Sequence, residues 1–404
     1  MKNSKGTQII SLYFLPFMCI VILGAGTLMY SPMHIPYTKA LGGLEVHGTY
    51  IEGASKFIAC LGVVYVANLS MSWGRKKTLF IIFCMGSVGS LIAALAPNPL
   101  VLLLASSISS LSFASMSAVM MVYLAEIAPS NRQGTALGVF GSGIGISAAL
   151  GAVSSTILAE KYGFRVPFMG SAILIAIGAL MVKLFFSDKT DQAAVVMNAQ
   201  CRGASALRLL KNVTKITAMG IVLYYSAFAY QFSQSSLSTL LSPFVVYLNF
   251  PLRVAGLGIG AFGIFGLMQP LGGRFGDTFG RTLGITLGTV LFFTGLLLLS
   301  SADSIPMVLL GTGLFGIGTS LFMPSICVAI YNSVPKEYKG ITMGLFQSIL
   351  TVGAVLGPVS GGVALHFWGP RFPFVLNSIV VGVSLFLLLA FAGSGKYRKK
   401  GKEG

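Results

Sequence analysis

Apolar residues run along this chain in long blocks, separated by short segments that carry most of the charge. A helix crossing the hydrocarbon of a bilayer needs roughly 20 mostly apolar residues. That window selects twelve spans, at about 9–29, 50–69, 78–96, 100–123, 134–158, 166–186, 216–235, 256–273, 284–302, 306–329, 340–364 and 373–392. Residues 1–8 form a short basic lead, and the first span is too long for a secretory signal and lacks a small-residue cleavage site, so no cleavable leader is expected. Twelve is even, which puts both termini on one side.

Composition agrees with that pattern. Of the 404 residues 55% are hydrophobic and 9% charged, against about 25% charged in soluble domains. The net charge of +17 would suggest nucleic acid in a soluble protein. Here the basic residues sit between apolar blocks, where they set orientation instead. Six of the 27 lysines and arginines (Lys39, Lys56, Lys161, Arg165, Arg253 and Arg371) fall on one side, and the other 21 on the side of the termini. This asymmetry predicts cytoplasmic termini. The expected organisation is an all-α polytopic membrane protein: a six-helix bundle at 1–186, a cytoplasmic linker at 187–215, a second bundle at 216–392 and a basic tail at 393–404. In the linker, Arg208, Lys211 and Lys215 recur at helical spacing beside Leu207 and Leu210. They read equally as an amphipathic helix on the anionic leaflet or as solvated charges of a tether. The five cysteines are scattered, so neither a disulfide framework nor a metal site is signalled.

The chain repeats itself at an offset of 206. Residues 134–168 laid on 340–374 give 13 identities in 35 positions without a gap, including Gly138/Gly344, Gly151/Gly357, Gly163/Gly369 and Pro167/Pro373. The same shift lays Gly74-Arg75 on Gly280-Arg281. Because 206 residues hold six spans, the halves share orientation, with a pseudo-two-fold axis along the membrane normal. Parallel repeats of this kind place a substrate near the midplane and work by rocking one half against the other.

Gly273, Asp277, Gly280 and Arg281 form Gly-x-x-x-Asp-x-x-Gly-Arg between spans 8 and 9. This resembles the signature of the major facilitator superfamily, and the twelve spans, central linker and repeat extend the resemblance over the chain. The first-half counterpart keeps Gly74 and Arg75 but has Met71 at the acidic position and Ala67 at the leading glycine. The resemblance implies that Asp277 and Arg281 latch one access state, and that Glu126, at the inner end of span 4, pairs with Arg75. The alternative is that these are solvated loop charges worth under about 1 kcal/mol. Span 11 carries Gly353, Gly357, Pro358 and Gly361, similar to the glycine-proline motif that drug and metabolite exporters of the family place in span 5. Ordinary helix packing through small residues is the competing reading.

In the family, spans 1, 4, 7 and 10 line the cavity. The polar side chains offered there are Thr27, Ser115 within a row of serines, Tyr224, Tyr230, Gln231 and Gln234, and span 11 adds Gln347 and Thr351. An amide in hydrocarbon needs a partner, so these residues are expected to hold a neutral or weakly charged organic molecule. Ionisable groups are nearly absent from the spans. The exceptions are Glu52 and Lys56, one turn apart in span 2, which read either as a proton or substrate site or as a favourable i, i+4 pair. His34 and His47, in an outer connection, and His366, near the outer end of span 11, are expected to be solvated.

These features predict a monomeric secondary transporter exporting a small organic molecule, with protons as coupling ion, lipid as surroundings and no cofactor, metal or nucleic-acid partner. An uptake carrier or uncoupled facilitator is the alternative. An enzyme would need clustered nucleophiles, bases or ligands, and none appears. A phosphate-binding lysine loop is also missing.

Overall fold

The computed structural model describes residues 3–127, 133–186, 218–333 and 339–393. Those residues form fourteen helices and no strand. They are α1 Asn3–Leu28, α2 His34–Ala40, α3 Glu45–Trp73, α4 Arg75–Ala94, α5 Pro99–Ile127, α6 Gln133–Tyr162 and α7 Arg165–Phe185; then α8 Ala218–Tyr247, α9 Arg253–Gly266, α10 Gln269–Phe279, α11 Arg281–Ser300, α12 Ile305–Asn332, α13 Lys339–Trp368 and α14 Phe372–Gly393. Eight are long and apolar enough to cross a bilayer alone, and α9 with α10 make a ninth crossing as a broken pair. With α1, α3 and α8 this is the twelve-span arrangement. The linker at 187–215 and the tail from residue 394 lie outside the described residues.

The offset of 206 is visible in the helix boundaries. Shifted by it, α4 becomes 281–300 and α6 becomes 339–368, the ranges of α11 and α13. The turns repeat as well. Gly74 has φ +83° and Gly280 φ +101°, while Gly163 has +88° and Gly369 +89°. Each pair differs by 206 in number, and each sits where one span turns sharply into the next. A side chain at positive φ costs roughly 1–2 kcal/mol, which explains why glycine holds the same place in both halves.

Two expectations need correction. Span 8 is not one straight helix through 256–273: α9 ends at Gly266 and α10 begins at Gln269. Pro270, in the first turn of α10, has no N–H to continue the helix across the junction. The connection between α1 and α3 is not a wet loop either. It holds α2, whose residues His34, Ile35, Tyr37 and Thr38 are buried.

The chain packs as two compact units. The first contains the described residues up to 186 together with 238–267, so the end of α8 and all of α9 pack with the first repeat although they come from the second. One part of its core joins Cys19, Ile20, Leu23, Phe83, Met116 and Ile175. Another gathers Tyr30, Met33, Tyr37, Leu102, Ala105 and Phe168 beneath α2. There α6 carries small residues on two faces. A Cβ at Gly151 would lie 2.5 Å from the Ala25 carbonyl oxygen of α1. On the other face, Cβ atoms at Gly256, Gly260 and Gly263 of α9 would lie 2.5–2.8 Å from atoms of Ala152, Val153 and Gly145. Small residues at this spacing let helix backbones touch in lipid. Glu160, at the end of α6, accepts a hydrogen bond from the Arg253 N–H at 2.6 Å, placing negative charge at the N-terminus of α9, where the helix dipole favours it.

The second unit contains the described residues of 218–237 and 268–393. Its centre is aromatic: Tyr230 packs against Phe292, Phe315 and Phe322, with ring centroids 5.2, 6.2 and 5.4 Å away. In both units large apolar side chains such as Leu61, Ile173, Leu180 and Phe386 remain exposed, a surface suited to lipid rather than water.

Candidate functional site

The first unit encloses a cluster of ionisable groups. Glu52, two turns into α3, is 4% exposed. One of its oxygens lies 2.5 Å from Lys56 Nζ, the other 2.5 Å from His34 Nδ1. The histidine comes from α2 and is 2% exposed. Its Nδ1 contact is an ion-pair approach without the direction of a hydrogen bond, while Nε2 is 3.1 Å from the Ser106 hydroxyl of α5. Three helices therefore contribute to one cluster, with α2 and α3 meeting at the carboxylate and α5 reaching the imidazole. Gly48 allows the approach, since a Cβ there would lie 2.7 Å from Ile35 Cα and 3.0 Å from the His34 carbonyl oxygen. Aromatic rings complete the seat: Tyr30 stands 5.9 Å from the His34 ring and edge-on to Phe168, which also faces Tyr37.

Glu52 and Lys56 are thus an i, i+4 pair with a third partner that the sequence did not announce. His34 is not solvated, as a residue of a loop would be. A sequence carries no marker of this burial, because the groups against the ring come from α3, α5 and Tyr30. Hydroxyl, imidazole and carboxylate lie in the order of a hydrolytic triad. Ser106 is only 1% exposed, and the hydroxyl is buried against the ring instead of facing an open cleft.

Most serines of α5 serve packing. Ser109 donates to the Tyr30 hydroxyl at 2.9 Å, Ser110 to Ser55 at 3.3 Å and Ser112 to the Ile82 carbonyl at 2.7 Å. Thr27 is buried and bonds back to the Leu23 carbonyl of its own helix at 2.9 Å. Ser115 differs: its hydroxyl is buried and has no hydrogen-bond partner among the described residues.

In the second unit, Gln231 donates from Nε2 to Gln234 Oε1 at 3.0 Å, so the two half-buried amides of α8 partner each other. Tyr224 reaches the Thr342 carbonyl at 3.5 Å. Tyr230 points into the aromatic centre and is buried there. Gln347 is exposed on α13, and Thr351 donates to the Gln347 carbonyl at 3.0 Å. The same helix meets α8 through glycines. A Cβ at Gly353 would lie 2.9 Å from the Phe228 carbonyl oxygen and one at Gly357 3.0 Å from the Phe232 carbonyl carbon. Pro358 and Gly361 are buried on α13. Gly357 against Phe232 repeats, at the 206 offset, Gly151 against the backbone of α1.

Asp277 and Arg281 flank the turn at Gly280, 3.7 Å apart, with Asp277 exposed and Arg281 half-buried. Arg75 occupies the matching place at the start of α4. Glu126 falls in the last turn of α5, but its side chain, and with it the expected pairing to Arg75, lies outside the described residues. Metal-binding groups of three or more His, Cys, Asp or Glu side chains do not occur among the described residues.

Comparison with known proteins agrees with the fold. The inner membrane transport protein YdhP of Escherichia coli is 25% identical over 399 residues, covering 94% of this chain and 96% of that protein. The multi-drug resistance efflux pump PmrA of Streptococcus pneumoniae is 24% identical over 277 residues, 66% of this chain and 67% of the pump. A crystal structure of a bacterial homolog of the human lysosomal transporter Spinster superimposes with TM-score 0.73 at 12% identity, covering 96% of this chain and 97% of that one. The family model described as Major Facilitator Superfamily matches residues 16–266 and again 223–404. Matched twice and over nearly its whole length, this membrane protein belongs to the major facilitator superfamily.

Proposed function

We propose that the protein is a secondary active transporter that exports a small organic molecule, of drug, metabolite or siderophore type, across the inner membrane. The observation that carries this reading is its membership of a transporter superfamily together with its similarity to an efflux pump along two thirds of the chain. In this reading the halves at 1–186 and 216–392 alternate in access, joined by the linker at 187–215, with both termini and the basic tail at 393–404 in the cytoplasm. Gln231, Gln234, Tyr224, Thr27, Ser115, Gln347 and Thr351 supply the polar contacts to substrate, and proton entry drives export. Lipid surrounds a monomer that needs no cofactor.

The test is an accumulation screen. Cells lacking or overexpressing the protein are exposed to a panel of organic compounds. At least one compound should accumulate several-fold less in the overexpressing cells, and a protonophore should abolish the difference. Higher accumulation would instead establish uptake, the second reading. That alternative has one observation in its favour: Glu52 is the only buried acid among the described residues, and Lys56 and His34 already hold it.

The latch assigned to Asp277 and Arg281 has its own prediction. An ion pair this exposed contributes under about 1 kcal/mol to stability, so Asp277→Asn should leave the thermal midpoint nearly unchanged while transport falls several-fold. Normal transport at matched protein abundance removes the latch from the mechanism.

A further inference from the structure

We propose that the cluster of His34, Glu52, Lys56 and Ser106 is a proton-binding site, with the His34 imidazole as the group that takes up and gives off the proton. This deepens the reading of the chain as a proton-coupled carrier and rests on it.

Glu52 and Lys56 alone would form a complete i, i+4 pair on α3. The imidazole is an addition to that pair, brought in by a separate helix that is seated closely at Gly48. It faces the carboxylate oxygen that Lys56 leaves open. With a neutral ring the cluster sums to zero charge, and with an imidazolium it carries one positive charge. Histidine is the side chain whose charge changes most readily near neutral pH. Tyr30 is a further titratable neighbour among the described residues, and its hydroxyl is occupied by Ser109.

Ser106 can serve either state. Its hydroxyl donates to Nε2 when the ring is neutral with its proton on Nδ1, and it accepts from Nε2–H when the ring is charged. A rotation of one hydroxyl therefore accommodates the proton without moving a helix. Access to the cluster is tied to the second repeat. Ser242, near the end of α8, donates to the Pro32 carbonyl at 2.7 Å, two residues before His34, within the same compact unit. That contact holds the α1–α2 turn beside His34, and the incoming proton is taken up at Nε2, because Nδ1 already carries one toward Glu52.

The chain has only three histidines, so ring nitrogen NMR of the histidine-labelled full-length protein reads the site directly. His47→Gln and His366→Gln assign the His34 signals by elimination, and His34→Gln confirms them. Across a pH series the His34 ring should show both the imidazolium and the neutral pattern. Glu52→Gln should move that transition to lower pH by removing a negative neighbour, and Lys56→Met should move it to higher pH. In proteoliposomes, a compound identified by the accumulation screen should be concentrated by an imposed pH gradient with wild-type protein. With His34→Gln the accumulation ratio should fall to unity and the pH profile of counterflow exchange should become flat. A His34 ring that keeps one charge state across the range, or a His34→Gln variant that accumulates like wild type, overturns the assignment. If wild-type protein moves compounds but never against their gradient, proton coupling itself fails, whatever the ring does.

Discussion

Gly272→Ala is expected to destabilise the protein severely, while the adjacent Gly273→Ala is expected to fold like wild type. A Cβ at Gly272 of α10 would collide with the Ser320 carbonyl of α12, lying 2.5 Å from its carbon and 3.0 Å from the Leu321 nitrogen. Those are backbone atoms of a long buried helix, so no rotamer change relieves the overlap. The helices must separate, and overpacking of this kind costs typically about 1–3 kcal/mol, occasionally more. The backbone collision places this case at the upper end. Next door, a Cβ at Gly273 would meet only the Pro324 Cβ, at 3.4 Å, and alanine is the better helix former by about 1 kcal/mol. Midpoints from heated, fluorescence-detected size-exclusion runs would compare the two variants. Equal midpoints would show that α10 and α12 are not in backbone contact.

Glu52→Ala should be comparably damaging for an electrostatic reason. Removing one partner of a buried ion pair leaves the other uncompensated, which costs about 3–5 kcal/mol. Lys56 is 28% exposed and can recover some hydration, so the lower end of that range applies. The decisive comparison is the double variant Glu52→Gln with Lys56→Met, which removes the charges together and should recover much of the stability. The stabilities of wild type, both singles and the double form a closed cycle. Additive losses would show that the two side chains do not interact.

The contrast between these two sites shows what could be read from the chain before its structure. Span count followed from the length of apolar runs, and the turns at Gly74 and Gly280 followed from the repeat, because both are local properties of sequence. Even the Glu52–Lys56 pair was legible, since i, i+4 spacing on a helix needs no tertiary information. Its third member was not. His34 lies in a helix of seven residues, far shorter than any span, and its burial is decided by Gly48, Ser106 and Tyr30 outside that helix. Similarly, the signature draws attention to Gly273, but the structure puts its neighbour Gly272 at the backbone contact. Both are glycine, and only the rotation of α10 about its axis distinguishes them. The aim of Tyr230 into the aromatic centre was hidden for a related reason: a helix that is apolar all round has no period to reveal which face looks inward.

The seam between α6 and α9 seats Gly256, Gly260 and Gly263 of α9 against Thr156, Val153 and the Gly145 carbonyl of α6. On the α9 side no side chain projects from these three positions. Parting the seam breaks the Arg253–Glu160 hydrogen bond at one end and, along the rest, dispersion contacts that are individually small. Methyl groups grafted there would act as wedges, and longer chains as glue. The absence of bulk on α9 thus sets how quickly, and how repeatably, this helix can leave its partner.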